Sequence, residues 1–300
     1  MPSLPNFLII GAAKSGTTAL YQYLKQHPQI FLSPHKEPKF FAHEGKKPGW
    51  KGPGDERYDL TTVTDIATYF ALFHDVTDER AIGEASTQYL YMPGVRERIK
   101  YYIPTARLIA ILRNPVEVAY SAYLHKRRDG HEPLTDFAEA LRQEETRIKN
   151  NWSPIWHYRQ RGFFYEHLVR YFELFPREQL RIYLHDDLKT DAAGMLRDIF
   201  RFIEVDDSFQ PDLSLRPNVS GIPKDAAVHR FLTGKSGERE RMKATMPEAE
   251  FRRVIDGMWQ ANLEKPQLSS AVRTELVKTY KDDVSRLQDL LDRDLSRWLL

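Results

Sequence analysis

The 300-residue chain contains no cysteine at all. Disulfides, thiolate nucleophiles and cysteine-ligated metals are thereby excluded, and the composition agrees with a reducing, cytoplasmic setting. Long apolar runs are missing too: none approaches the roughly 18 residues that a membrane-crossing helix needs. The apolar stretch starting at Phe7 has no basic segment before it and soon meets Lys14, so it reads as a first strand rather than a signal peptide. Charge of one sign is scarce. A formal net charge of +2 falls short of the basic excess expected of a dedicated nucleic-acid binder, although a local basic pocket is compatible with it. None of the ten histidines shows the His-x-x-x-His spacing of a zinc helix, and no metal is expected. There is no internal repeat, low-complexity tract or domain linker. Residues 1–300 read as a single domain, with 226–300 as a C-terminal helical part packed on it.

Against these absences stands Phe7-Leu-Ile-Ile-Gly-Ala-Ala-Lys-Ser-Gly-Thr-Thr-Ala-Leu20, a buried strand, a glycine-bearing turn and a helix start. Such a turn aims backbone N–H groups and a helix N-terminus at one point, which suits an anion. The nucleotide-kinase form of this loop is Gly-x-x-x-x-Gly-Lys-Ser/Thr. Here Gly11 and Gly16 keep the glycine spacing, but Thr17 stands where that lysine belongs, and the loop's lysine is Lys14. A nucleotide's 5′ anion is still cradled, while the usual contact to a γ-phosphate is gone.

A second anion site follows from another replacement. Arg107–Leu112 is a nearly continuous apolar run, the pattern of a central parallel strand, and it ends in Arg113 rather than in the aspartate that would hold Mg²⁺. Asn114-Pro115 opens the next helix, and Ser121 lies two turns into it. An arginine fork at a strand's carboxyl end, with a helix serine beside it, suits a second phosphate. Further strands are expected at Ala81–Glu84 and Leu180–Leu184. Helices are expected at Gly16–Gln26, Ile66–His74, Val95–Tyr102, Thr135–Lys149, Ile155–Phe175, Leu188–Ile203 and Ser269–Leu291. Strands alternating with helices predict an α/β fold with a P-loop-type parallel sheet covered on both faces. Pro34 to Lys51 reads as an ordered functional loop and Trp50 to Thr64 as an irregular surface excursion.

Taken in order, these pieces resemble the PAPS-dependent sulfotransferases of the heparan-sulfate (N- and 3-O-) type and their bacterial relatives. The matching residues are Gly11 to Leu20, His27-Pro28, Lys36-Glu-Pro-Lys-Phe-Phe41, Gly83-Glu84 and Leu112-Arg-Asn-Pro115 with Ser121. Arg161-Gly162 with Tyr165, Phe175-Pro176 and His185-Asp-Asp-Leu188 complete the set, which covers roughly Asn6 to Lys224. The resemblance implies 3′-phosphoadenosine 5′-phosphosulfate (PAPS) as donor and 3′,5′-adenosine bisphosphate (PAP) as product. Lys14 and the amides of Ser15, Gly16, Thr17 and Thr18 would hold the 5′-phosphosulfate, and Arg113 with Ser121 the 3′-phosphate. A late loop, Arg216 to Lys224, would close over that phosphate through Ser220, Gly221 and Lys224. It lacks the Lys-Gly-Arg string and the nearby disulfide of the animal enzymes.

Sulfuryl transfer requires the leaving phosphate to be neutralised and the acceptor to lose a proton. Lys14 suits the first task. Glu37, between Lys36 and Lys39, occupies the place of the base in heparan-type members, and Glu84 is the second carboxylate, as a base or as a structural group bonding loop amides. The family often has lysine after this glutamate, where this chain has Ala85. The rival readings are a degenerate P-loop kinase and a non-catalytic nucleotide-binding module. The acceptor (saccharide, lipid or secondary metabolite) stays open, as does the oligomeric state. His125-Lys-Arg-Arg128 reads either as an anion-recruiting patch or as a solvated helix end, and His125 also as a wall of the cofactor side. Trp152, Trp156 and Tyr158 read as acceptor wall or core, whereas Leu276, Tyr280, Val284, Leu287 and Leu291 recur at core spacing.

Overall fold

A computed structural model describes residues 4–214, 221–234, 237–264 and 266–300, with the side chains of 249, 252 and 260 left out of account. Five strands form one wholly parallel sheet: β1 (Phe7–Gly11), β2 (Ile30–Leu32), β3 (Ala81–Ala85), β4 (Arg107–Leu112) and β5 (Leu180–Leu184), in the order β2-β3-β1-β4-β5. Strand β1 is buried along its whole length. Its side chains alternate between two cores, because successive residues of a strand point to opposite faces. Leu8 and Ile10 join Leu108, Ala110 and Leu112 on one face, under helices Val95–Tyr102, Pro115–Arg128, Phe164–Phe172 and Ser270–Leu291. Phe7 and Ile9 join Ile109 and Ile111 on the other, under helices Thr17–Leu24 and Ala192–Phe202. Each buried leucine, isoleucine or phenylalanine contributes about 1.5–3 kcal/mol. Both faces are covered, which is why β1 and β4 are near-continuous apolar runs.

Leaving β1, the chain moves to β2 and β3 on one side and only then crosses to β4 and β5 on the other. The carboxyl ends of β1 and β4 therefore face an open crevice, where ligands bind in sheets of this kind. Several elements differ from the sequence expectation. Edge strand β2 was not foreseen. The helix expected over 135–149 is two, Phe137–Arg142 and Glu144–Lys149, and the one over 188–203 breaks at Asp191, whose side chain caps Ala192–Phe202 through the amide of Gly194. Of the helix expected over 155–175, only Phe164–Phe172 is α-helical; 3₁₀ turns at Pro154–Trp156 and Gln160–Gly162 precede it. At that turn position 162 must be glycine, since a Cβ there would lie 2.6 Å from the Tyr280 hydroxyl. Segment 50–64 is not an idle excursion: it holds helix Glu56–Thr61 and the fully buried Asp55. Past the sheet, β6 (Ile222–Pro223) pairs antiparallel with β7 (Leu263–Glu264), flanking helices Ala226–Thr233, Gly237–Thr245 and Glu248–Asn262. Among the described residues no helix is long and apolar enough to cross a membrane.

Candidate active site

A cavity of about 400 Å³ opens at the carboxyl ends of β1 and β4. Its floor is the loop between β1 and helix Thr17–Leu24. Gly16 precedes that helix at φ 104°, a left-handed conformation that glycine adopts without penalty, and no side chain caps the helix. The first-turn amides therefore have no intrahelical acceptor and are available to an anion. Thr17 and Thr18 line the cavity with Gly16. The Ser15 side chain instead turns inward, fully buried and with no partner for its Oγ, leaving only the backbone of Ser15 to the cradle.

Lys14 sits at φ 67° in the same loop. Burial, helped by Arg128 and Arg161 and opposed by Asp129, brings its pKa down to about 8. Arg113 follows β4 directly. It donates through Nη1 to the Lys14 carbonyl (3.3 Å) and through Nη2 to Glu117 (3.4 Å), so it ties the strand end to the loop. Burial lowers its pKa, with Glu117 opposing. Asn114 starts the next helix by accepting from the amides of Val116 (2.9 Å) and Glu117 (3.4 Å), with Pro115 at its first position. That start directs Ser121 and His125, one turn apart, to the cavity wall.

The opposite wall is the segment that carries Glu37. Its backbone is strained: Glu37 has φ 63° and Lys39 φ 60°. With Lys14, three of the six left-handed non-glycine residues among the described ones line this one cavity. Such conformations cost about 1 kcal/mol or more each and persist only where the surroundings enforce them, which marks the place as functional. The enforcement is visible. Phe40 and Phe41 are fully buried against Tyr69 and Tyr89, the Lys39 amide donates to Ser86 Oγ (3.0 Å), and the Glu37 amide donates to the Ala85 carbonyl (2.9 Å). The Glu37 carboxylate accepts from the Thr87 amide (3.1 Å) and hydroxyl (2.9 Å) and pairs with Lys36 (3.4 Å), and it faces the cavity.

Glu84 is not brought to this surface. It is wholly buried behind the loop, with the Tyr69 hydroxyl donating to it at 3.5 Å. Burial pushes its pKa up to about 8, with Tyr89 and Ser86 holding it back and Glu37 adding to the rise. The physical reason for its absence from the cavity is strand alternation: Glu84 points into the apolar layer that packs on Tyr69, and its carboxyl is protonated at neutral pH.

Of the two readings of His125-Lys-Arg-Arg128, the solvated helix end is the one that does not hold: His125 and Arg128 line the cavity, as the reading of His125 as a cavity wall expects. Arg128 donates to His125 Nδ1 (2.7 Å) and to Asp129 (3.1 Å), and burial holds the imidazole neutral, with a pKa of about 3. Tyr58, from the segment expected to be irregular, lines the cavity under the Lys39 ammonium, 5.1 Å from the ring centre. Arg161 lines it from the 3₁₀ turn. A hydrophobic pattern carries no signal for such positions. Trp156 and Tyr158 are core residues, and their polar ends are spent on Asp55 (3.1 Å) and Glu132 (2.8 Å). Of the late loop, Ser220 lies outside the described residues. Gly221 is buried against the Glu264 backbone, and Lys224 Nζ donates to the Ala261 carbonyl (2.9 Å), so neither borders the cavity.

A glycine-bearing loop after β1 and an arginine after β4, facing a loop carboxylate across one cavity at the switch point of a parallel sheet, give an α/β protein of nucleotide-kinase-like architecture. Comparison with known proteins narrows the class: residues 4–289 match the sulfotransferase domain family. The crystal structure of a sulfotransferase from Alicyclobacillus acidocaldarius superposes over 99% of both chains with a TM-score of 0.78 and 34% identity. The membrane-associated sulfotransferase kil1 of Dictyostelium discoideum is 34% identical over 149 residues, 48% of this chain and 29% of that protein. The human bifunctional heparan sulfate N-deacetylase/N-sulfotransferase 3 is 30% identical over 208 residues, 67% of this chain and 22% of that protein. The chain belongs to the sulfotransferase domain family. It spans less than a third of the length of these two curated relatives.

Proposed function

We propose that this chain transfers a sulfuryl group from PAPS to a hydroxyl or amine of an acceptor, releasing PAP. The observation that carries the reading is the convergence of Lys14, Arg113 with Ser121, and Glu37 on one cavity. In this reading the first-turn amides at 16–18 bind the 5′-phosphosulfate, and Lys14 neutralises charge on the departing phosphate. Arg113 and Ser121 bind the 3′-phosphate. Glu37 takes the acceptor's proton, its own orientation fixed by the two donors of Thr87. Glu84 is a positioning residue beneath that loop rather than the base. Charge is supplied by side chains, so no step of the transfer calls for a metal. A saccharide acceptor is favoured by the names of the heparan sulfate relatives; lipids and secondary metabolites are the other classes. We assign the whole chain to one catalytic domain, with 226–300 packed on it, and its lack of cysteine is in keeping with the cytoplasm.

Calorimetry with PAP against ATP–Mg²⁺ tests this. Tight PAP binding and weak ATP–Mg²⁺ binding are expected. The reverse would establish the kinase reading, which the threonine at position 17 disfavours. PAP binding with no sulfuryl transfer to any of a panel of glycans, lipids and phenols would favour the non-catalytic module.

A further inference from the structure

Among the described residues, setting aside Lys39, whose ammonium lies over the Tyr58 ring at 5.1 Å, three lysine or arginine side chains are at least nine-tenths buried, and two of them are neutralised. Lys126 pairs with Asp55 at 3.2 Å, and Arg147 forms a two-pronged pair with Glu132 at 2.6 and 3.0 Å. The third is Arg161. It is 9% exposed and lines the cavity, yet its guanidinium makes no hydrogen bond or ion pair with any described residue. Burying a cation without a partner is costly, and a fold that tolerates this has a ligand to supply the anion.

The position is also held rigidly. Glu144 accepts from the amides of Arg159 (2.7 Å) and Gln160 (2.8 Å), immediately before Arg161, and the Tyr280 hydroxyl donates to the Arg159 carbonyl (2.9 Å). These contacts hold the Glu144 carboxylate on the backbone, and it makes no ion pair with the guanidinium. Arg161 lines the same cavity as Lys14, assigned to the leaving phosphate, and Glu37, assigned to the acceptor's proton.

We infer that Arg161 binds the oxygens of the sulfuryl group itself, as a third anion contact distinct from the two that hold the donor's phosphates. The inference rests on the sulfotransferase reading above. In the transfer the S–O bond to the 5′-phosphate breaks, with its electron pair staying on the phosphate oxygen. A lone pair of the acceptor oxygen forms the new S–O bond, and its proton passes to Glu37. The three outer sulfuryl oxygens remain attached throughout. A fixed guanidinium fork is suited to hold two of them in plane while the bond changes sides.

The test needs no acceptor, because PAP and PAPS differ by the sulfuryl group alone. Affinities of both are measured by competition on freshly prepared donor for wild type, Arg161→Gln and Arg161→Lys. Arg161→Gln is expected to leave PAP affinity within about twofold while weakening PAPS about tenfold, the scale of one lost charge-assisted contact. Arg161→Lys is expected to fall between, since it keeps the charge but loses the fork. PAP affinity doubles as the check that each variant is folded, and if Arg161→Gln does not fold, the PAPS/PAP ratio of Arg161→Lys decides. An unchanged ratio overturns the inference. A loss confined to turnover with acidic acceptors would assign the guanidinium to the acceptor instead, and an equal loss of PAP and PAPS would make it part of the general cradle. Failure of the wild-type protein to bind either nucleotide would instead overturn the sulfotransferase reading.

Discussion

The two walls of the cavity are built in opposite ways. The wall assigned above to the donor is made of residues that directly follow strands: the loop after β1, and Arg113 after β4. Its geometry is set by the sheet register within a few residues of each side chain. The wall assigned to the acceptor is made of segments 36–41, 52–58 and 154–161, the last about a hundred residues from the other two, held together by buried polar side chains. Asp55 shows the method. With no exposed surface, it accepts from Lys126, the Ser153 amide (2.8 Å) and hydroxyl (2.7 Å), and Trp156, joining three segments at one carboxylate. Glu132 does the same for Arg147 and Tyr158. One wall is backbone-determined and the other network-determined, so damage to each should read out differently.

The largest effect is expected from Glu37→Gln. The amide accepts the Thr87 N–H through its oxygen and donates to the Thr87 hydroxyl through its NH₂, but it cannot take a proton, so kcat should fall about 10²–10⁴-fold while PAP affinity stays unchanged. Near-normal turnover in this variant would remove Glu37 from the chemistry. Asp55→Ala strikes the network instead. Leaving Lys126 buried and unpaired should cost about 3–5 kcal/mol in urea unfolding. Donor affinity of the folded fraction should survive, and loss of that affinity at unchanged stability would erase the distinction between the walls. Lys14→Ala should lower kcat about 10²–10³-fold, because its charge meets a transition-state anion. Arg113→Ala should weaken PAP about 10–100-fold and leave kcat at saturating donor nearly intact, since the 3′-phosphate charge does not change in the reaction.

The smallest effect is that of pH. Lys14 has its pKa lowered to about 8 by burial, so the free protein loses that charge as pH rises through this value. A bound anion favours the protonated lysine, and PAP affinity should therefore be full below pH 8 and decline above it, by at most about tenfold per pH unit. The pH profile of calorimetric affinity checks this, and Lys14→Ala should flatten it.

The same contrast explains what could be read from the chain alone. Strands β4 and β5 and helix Val95–Tyr102 fall on the residues expected, and β1 runs one residue longer. For β1 and β4 the reason is burial on both faces, which writes itself as continuous apolar runs. The donor cradle is legible for the same reason: glycine spacing and the residue after a strand are local facts. Edge strand β2 has three residues and no period to detect. Tyr58 and Arg161, about a hundred residues apart in sequence, come together only at the cavity. Glu84 looked available because it ends a short strand segment, but strand alternation turns it inward to Tyr69. The turn at 160–162 depends on how closely Tyr280 approaches Gly162, which no pattern around Gly162 reveals.

Glu117 divides its carboxylate between two guanidinium groups, Arg113 of the donor wall and Arg273 of the last long helix (2.6 Å), and Asn114 reaches the carbonyl of Trp298 (3.4 Å). The end of β4 is thus guyed from outside by the final thirty residues, which contain none of the recognised motifs. Because Leu276, Tyr280, Val284 and Leu287 of the same helix are buried in the core, the stay cannot slacken without the fold giving way, but Arg273 can be cut loose alone. Arg273→Gln should leave the helix seated and be sensed as a loosened grip on nucleotide, making a residue outside the cavity a tuner of how firmly it closes on its ligand.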